Sequence, residues 1–235
     1  MKARVSLTER ILYEDNHLIV INKNCGEIVQ GDKTGDVTLA EDVKAYLKEK
    51  YNKSGNVFLG IPHRLDRPTS GIVIYCKTSK SLERMNALFR DGLVEKHYWA
   101  VCDNPLSPSE GTLEHHIVRN TEKNKSFASK TAKPGSQKAV LRYRTLCKSE
   151  RYFLLEIDLI TGRHHQIRAQ LASCNVHIKG DLKYGFPRSN PDGGICLHSR
   201  YVSFVHPVSG KNIEITAPVP DSATWNVFAK ILGNR

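Results

Sequence analysis

Residues 60–78, GIPHRLDRPTSGIVIYCKT, set one carboxylate, Asp66, between the guanidiniums of Arg64 and Arg67 at the mouth of an apolar run. His63 precedes the acid and Thr69-Ser70-Gly71 follows it. Neighbouring positive charge favours the ionised form of a carboxylate. An ionised, held aspartate suits a nucleophile or a proton acceptor and does not suit a general acid. Taken alone, the same residues read equally well as a surface salt bridge beside an ordinary turn.

A second concentration of polar groups is DLITGRHHQIRAQ, residues 158–170. Thr161-Gly162 makes a sharp turn out of a strand. A short helix is expected over RHHQIRAQLASC, with Ile167 and Leu171 facing inward. Arg163, His164, His165, Gln166 and Arg168 then crowd its first turn, where cations oppose the macrodipole. They either face an anion, a phosphate or the Asp66 carboxylate, or form a solvated basic helix start. In EKHYWAV, residues 95–101, strand alternation puts Lys96, Tyr98 and Ala100 on one face. Tyr98 there could stack on a base or accept a proton, or be an ordinary half-buried tyrosine.

Together these segments sketch an ionised aspartate, an arginine partner, an aromatic platform and a basic approach. No Gly-rich phosphate loop, second catalytic carboxylate or Ser-His-Asp arrangement accompanies them, which argues against a kinase, a two-carboxylate glycosidase or a metal nuclease. No cofactor is expected. The ten histidines and six cysteines lack metal-ligand spacing, so no metal is expected either.

The elements that must position these groups follow from periodicity. RILYEDNHLIVINK reads as two strands around an Asp-Asn turn. TLAEDVKAYLKEKY carries Leu39, Val43 and Leu47 on one helical face behind a Thr38/Glu41 capping box. SGIVIYCKT is apolar throughout, as a strand buried on both faces would be. SLERMNALFRDG repeats the helical pattern and stops at Gly92. Strands then dominate: EKHYWAVCD, GTLEHHIVR, a hairpin of AVLRYRTLC and RYFLLEIDLI, and a last hairpin around VSG. NTEKNKSFASKTAKPGSQK, with five lysines, is expected to be a loop, either touching phosphates or merely solvated. The class is α+β with a mixed, largely antiparallel sheet.

The 235 residues, 40% hydrophobic and 25% charged, can bury a full core. Lys and Arg number 35 against 24 Asp and Glu, and the formal charge of +11 favours a polyanionic partner, most simply nucleic acid. No cysteines occur as C-x-x-C, which suits free thiols in a reducing compartment. The N-terminus has no signal-peptide core and no apolar run approaches the ~20 residues that span a bilayer. A cytoplasmic protein with no membrane association is the expectation, and a monomer is the default.

HRLDRPTSGIVIYCKT resembles the signature H-R-L-D-x-x-T-S-G-x-x-x-x-A-K-T of the RluA-type pseudouridine synthases. In the family's order, ILYEDNHLIVINKNCGEIVQ resembles its opening strand pair and EKHYWAV its K-x-Y-x-A segment. LITGRHHQIRAQLA resembles T-G-R-x-H-Q-I-R, and GDLKYG with CLHSRYVSFVHP resembles the closing segments. The resemblance covers about residues 9 to 220. It implies a pseudouridine synthase fold, a mixed sheet with flanking helices and a central cleft, forming a single catalytic domain over 1–235. The synthase motifs begin almost at the N-terminus of the sequence, and no S4-type RNA-binding domain is expected.

The resemblance also implies an activity: uridine in RNA, ribosomal or transfer, is isomerised to pseudouridine after the base is flipped from its stack. It makes Asp66 the catalytic aspartate, Tyr98 the tyrosine that stacks on uracil and helps remove the C5 proton, and Arg168 the arginine that pairs with the aspartate. Arg64 would fill the gap left by the flipped nucleotide, and Leu197 would line the uracil pocket. His63, Arg163 and His165 are expected to contact RNA. Covalent addition and abstraction of the 2′ proton both remain open for Asp66. Departures from the family pattern are Gln170 for His, Asn24-Cys25 for Pro-Ala, Cys76 for Ala and Ser199 for Ala. A binding-only RNA chaperone would predict a broken Asp, Tyr or Arg. A hydrolase of phosphorylated small molecules would need a metal site or second acid. Neither feature is found.

Overall fold

In a computed structural model, which describes residues 6–31 and 35–233, the first two strands form as expected. They are β1 (Ile11–Glu14) and β2 (Leu18–Lys23), paired antiparallel. The expected single domain over 1–235 includes residues 1–5, 32–34 and 234–235, which lie outside the described residues. Helix α1 (Leu39–Lys50) starts at the capping box: the Glu41 N–H donates to Thr38 Oγ1, and the Glu41 carboxylate accepts from the Thr38 N–H. Its Leu39, Val43 and Leu47 are buried. Strand β3 (Ser70–Cys76) is buried along its whole length, the burial its unbroken apolar sequence requires. Helix α2 (Ser79–Arg90) is capped by Thr78 and followed by Gly92 at φ 71°.

The rest of the sheet is β4 (Glu95–Cys102), β5 (Glu110–Asn120), β6 (Lys125–Ser129), β7 (Gln137–Lys148) and β8 (Phe153–Asp158). After the short helix α3 (Gln166–Ser173) come β9 (Leu197–Val205), β10 (Asn212–Thr216) and helix α4 (Ala223–Gly233). Nine strands run in the order β1-β2-β3-β9-β4-β8-β7-β5-β6, with β10 on β9. Every pairing is antiparallel except β3 with β9. Among the described residues no helix is long and apolar enough to cross a membrane.

Three corrections to the sequence reading bear on the site. The polar stretch 120–138 is not a loop throughout, because β6 lies inside it and pairs with β5 from His116↔Ser129 to Asn120↔Lys125. Helix α3 starts at Gln166, so Arg163, His164 and His165 occupy the turn before it. Helix α4 had no sequence expectation, yet Trp225 and Phe228 are buried against Val101, Cys147 and Leu154.

Alternation along β3 explains the layering. Val73 and Tyr75 join the core that α1 and α3 cover, whereas Ile72 and Ile74 join Met85 of α2 on the opposite face. The parallel contact of β3 with β9 involves only Ser70↔His198 and Gly71↔Ser199. Gly71 sits at φ 111°, and a Cβ there would overlap the backbone nitrogen and carbonyl oxygen of Ser199. Only glycine lets the two strands meet at this point, and Asp66 lies in the loop just ahead of it.

Candidate active site

The loop carrying Asp66 is held from below by a buried amine. Lys23, fully buried at the end of β2, donates from Nζ to the carbonyls of Asn24 (2.9 Å), Arg67 (3.1 Å) and Thr69 (2.6 Å). Burial pulls its pKa down to about 8, against the attraction of Glu27, Cys25 and Asp66. The Thr69 N–H donates to the Asp66 carbonyl at 3.0 Å and closes the turn. Where β9 diverges from β3, residues 60–63 take its place. Gly60 exchanges two backbone hydrogen bonds with Cys76, and the Ile74 N–H donates to His63 Nε2 at 2.8 Å.

His63 therefore has a structural task. Burial, with Lys96 nearby, lowers its pKa to about 3, so it is neutral, and its ring stacks on Phe89 at 4.7 Å. Its side chain still lines the cleft.

The Asp66 carboxylate does not pair with its neighbours in sequence. Arg64 is exposed at the cleft edge without an ion pair to it, and Arg67 turns away to Asp36 (2.9 Å) and the Gly26 carbonyl. The partner is Arg168, 102 positions away, whose Nη1 donates to Asp66 Oδ2 at 2.9 Å. Arg168 is gripped on its other side by Asp181, with Nε to Oδ2 at 2.7 Å and Nη2 to Oδ1 at 2.8 Å. Burial works against the guanidinium's charge, but Asp181 and Asp66 outweigh it and raise the pKa further. The Tyr184 ring covers the guanidinium carbon at 4.9 Å. The expected cation crowding at the start of α3 thus reduces to Arg168, which faces two carboxylates.

The turn 161–166 is closed by Gln166, whose Oε1 accepts from Thr161 Oγ1 (2.8 Å) and the Arg163 N–H (2.9 Å). This turn brings Arg163, His164 and His165 to the cleft wall. His165 is buried, and its Nε2 stands 3.5 Å from Asp66 Oδ2. Burial, resisted by Asp66 and aided by Arg168, lowers its pKa to about 3 and keeps the ring neutral. Gln170 anchors α3 from behind, donating to the carbonyls of Leu113 and Ala139.

Tyr98 projects from β4 where the register against β9 shifts, His97 facing Tyr201 and Tyr98 facing Ser199, so that Arg200 of β9 is the extra residue. Burial raises its pKa to about 12, against a hydrogen bond with Ser199 and with Asp66 adding to the rise. Leu197 opens β9 and is buried.

All eight residues expected from the sequence, Asp66, Tyr98, Arg168, Arg64, His63, Arg163, His165 and Leu197, line one open cavity of about 600 Å³. Its wall also holds Leu65, Phe89 and Ile167, and its rim adds Arg90, Lys96 and Arg119. The sequence reading passed over Asp181, Tyr184, Lys23 and Arg119. The first two lie in the quoted GDLKYG and Lys23 in the quoted opening segment, so the motifs held the signal. Arg119, an exposed residue of β5, had none.

An aspartate held by an arginine under a tyrosine, in a basic cleft with an apolar wall, suits a reaction on a planar base of an anionic polymer. Residues 17–173 match the RNA pseudouridylate synthase family. The uncharacterised RNA pseudouridine synthase YlyB of Bacillus subtilis is 32% identical over 215 residues, 90% of this chain and 69% of the relative. Ribosomal large subunit pseudouridine synthase D of Zymomonas mobilis is 30% identical over 235 residues, 96% of this chain and 74% of the relative. The structure of human RNA pseudouridylate synthase domain containing 4 superposes with a TM-score of 0.76 over 92% of this chain and 90% of that one, at 24% identity, a likeness of fold. On this match the chain belongs to the RNA pseudouridylate synthase family, whose reaction isomerises uridine in RNA.

Proposed function

We propose that this chain makes pseudouridine with Asp66 as the reacting carboxylate, on a uridine flipped into the cleft. The observation that carries the reading is the Arg168–Asp66 contact at 2.9 Å on the wall of the basic cavity. The isomerisation breaks the C1′–N1 bond and joins C5 to C1′, and the proton on C5 is lost as N1 gains one. Asp66 either adds to the nucleoside or takes the 2′ proton, and both routes need it ionised beside Arg168. Tyr98, protonated throughout the physiological range, is a stacking surface for uracil before it is a base. Leu197 and Ile167 supply apolar wall against the ring. Arg64, Arg90, Arg119 and Arg163 at the rim meet the phosphates, and Arg64 also stands where a side chain could replace the flipped base. Flipping costs least where bases are already unstacked, so loop uridines are the expected targets. The fold works as one catalytic unit, in the cytoplasm and as a monomer.

The Zymomonas relative is named for the large ribosomal subunit, which makes large-subunit RNA the first pool to assay, with transfer RNA beside it. Unmodified RNA is incubated with the protein and with Asp66→Asn and Asp66→Ala. Pseudouridine is then mapped by carbodiimide-blocked reverse transcription. A new stop with the intact chain and with neither variant supports the reading. Equal RNA binding by all three without any stop would move the chain to a binding-only role.

A further inference from the structure

Arg168 is not the only side chain directed at Asp66 Oδ2. We propose that His165 is a positioning residue: as its Nε2-protonated tautomer it donates to Asp66 Oδ2, leaving Oδ1 as the oxygen presented to the uridine. This rests on Asp66 being the reacting carboxylate.

The tautomer follows from Tyr184. Its buried hydroxyl oxygen accepts the Ser126 N–H at 2.8 Å, and the same hydroxyl lies 3.0 Å from His165 Nδ1. With the oxygen already accepting, the hydroxyl's single proton goes to Nδ1, the acceptor within reach, since a buried donor without a partner is costly. A neutral ring that accepts at Nδ1 carries its own proton at Nε2. That nitrogen is 3.5 Å from Asp66 Oδ2, and closing to a full hydrogen bond takes about 0.5 Å, a tightening of the kind active-site contacts make in the substrate complex.

The ring is clamped for this job. One face stacks on His164 at 3.8 Å with 21° between planes, and Tyr184 meets it edge-on at 5.7 Å. His164 is held in turn, its Nδ1 2.8 Å from Ser126 Oγ. The His165 backbone is left-handed, φ 52° and ψ 27°, a conformation that a residue other than glycine keeps only when its surroundings enforce it. A relaxed backbone would carry the imidazole off both Tyr184 and Asp66. Asp66 Oδ1 receives no hydrogen bond from the described residues, whereas Oδ2 faces two donors. Two donors on one oxygen fix the plane of the carboxylate and leave the other oxygen the better nucleophile or base.

The test uses the full chain with His165→Asn, His165→Gln and Tyr184→Phe, assayed for kcat and KM. Asparagine tolerates the left-handed backbone and can meet the Tyr184 hydroxyl, but is too short for Asp66. Glutamine puts an amide N–H near the position of Nε2. The expected result is a kcat about tenfold lower for His165→Asn, the equivalent of one hydrogen bond, with KM for RNA within about twofold and recovery in His165→Gln. Nitrogen-15 NMR of the histidine-labelled protein should show His165 protonated at Nε2, and Tyr184→Phe should lose that single tautomer. A wild-type kcat in His165→Asn, or a ring protonated at Nδ1, would overturn the inference. The NMR result on the unaltered protein decides the tautomer even if a variant fails to fold. An active Asp66→Asn would sink the Asp66 reading itself; an inactive Asp66→Asn beside a fully active His165→Asn would sink only the role of His165.

Discussion

Replacing Asp181 by asparagine tests whether Arg168 is set by the carboxylate behind it. The change keeps the side-chain shape and one acceptor oxygen but removes a charge from a site where the carboxylate is 1% and the guanidinium 5% exposed. One of the two hydrogen bonds, now 2.7 and 2.8 Å, is lost, because an amide N–H would face a guanidinium N–H. A hydrogen bond to a charged group contributes roughly 1.5–3 kcal/mol. The lost attraction is about 4 kcal/mol for charges ~4 Å apart at an effective dielectric of 20. Part of it is returned, because the neutral amide is cheaper to bury.

A net loss of about 3 kcal/mol is therefore expected, which for a domain of this size lowers Tm by roughly 6–12 °C. Arg168, left with one hydrogen bond to residue 181 and one to Asp66, would also be less firmly oriented, and kcat should fall about ten- to a hundredfold. Calorimetry and single-turnover pseudouridine formation read the two effects separately. Glu83→Gln on the exposed face of α2 serves as the control. An Asp181→Asn protein with the melting temperature and kcat of the parent would refute the account of Arg168 as a residue held between two carboxylates.

Gly71→Ala should abolish stable folding rather than activity alone, since its Cβ would strike the Ser199 backbone at a positive φ; circular dichroism of the purified variant checks this. Below neutral pH, stability should fall steeply. His63, His165 and His198 have folded-state pKa values of about 3, 3 and 4, chiefly through burial. Unfolding between pH 6.5 and 4 takes up to three protons, so stability present above pH 6.5 is lost as pH falls, by up to ~4 kcal/mol per pH unit. Urea titrations from pH 7.5 to 4.5 read the slope, and a flat profile would contradict the burial of neutral rings. Arg119→Ala and Arg163→Ala should weaken RNA binding, each reducing the salt slope of log K by about 1. They should leave kcat at saturating RNA near that of the parent, as filter binding and saturation kinetics would show.

Local pattern was enough for several elements. The capping box and the Leu39, Val43, Leu47 spacing gave α1, and the unbroken apolar run gave β3, because hydrogen-bonding and burial periods are written in consecutive residues. All eight cleft residues lie within the ordered motifs. Strand β6 was hidden because it is a short, half-exposed edge strand whose lysine and two serines resemble a solvated loop; its pairing with β5 makes it a strand. Helix α4 carries only a short signal, Trp225 and Phe228 three residues apart, the two residues it buries.

The charge partner of Asp66 belongs to a different class of question. Proximity in sequence suggested Arg64 and Arg67 and the family resemblance Arg168; Arg64 lines the cleft without an ion pair to Asp66, and Arg67 finds Asp36 instead. Sequence determined that a lone aspartate, a tyrosine, an arginine pair and two histidines would be present, and in what order. The resemblance also implied the Arg168–Asp66 pair, but the tertiary structure alone decided that His165 faces the same Oδ2, that Asp181 and Tyr184 stand behind them, and that Lys23 holds the loop. Electrostatic and hydrogen-bond contacts act through distances in space, and only the packing of α3 against the sheet makes residues 66, 165, 168 and 181 neighbours.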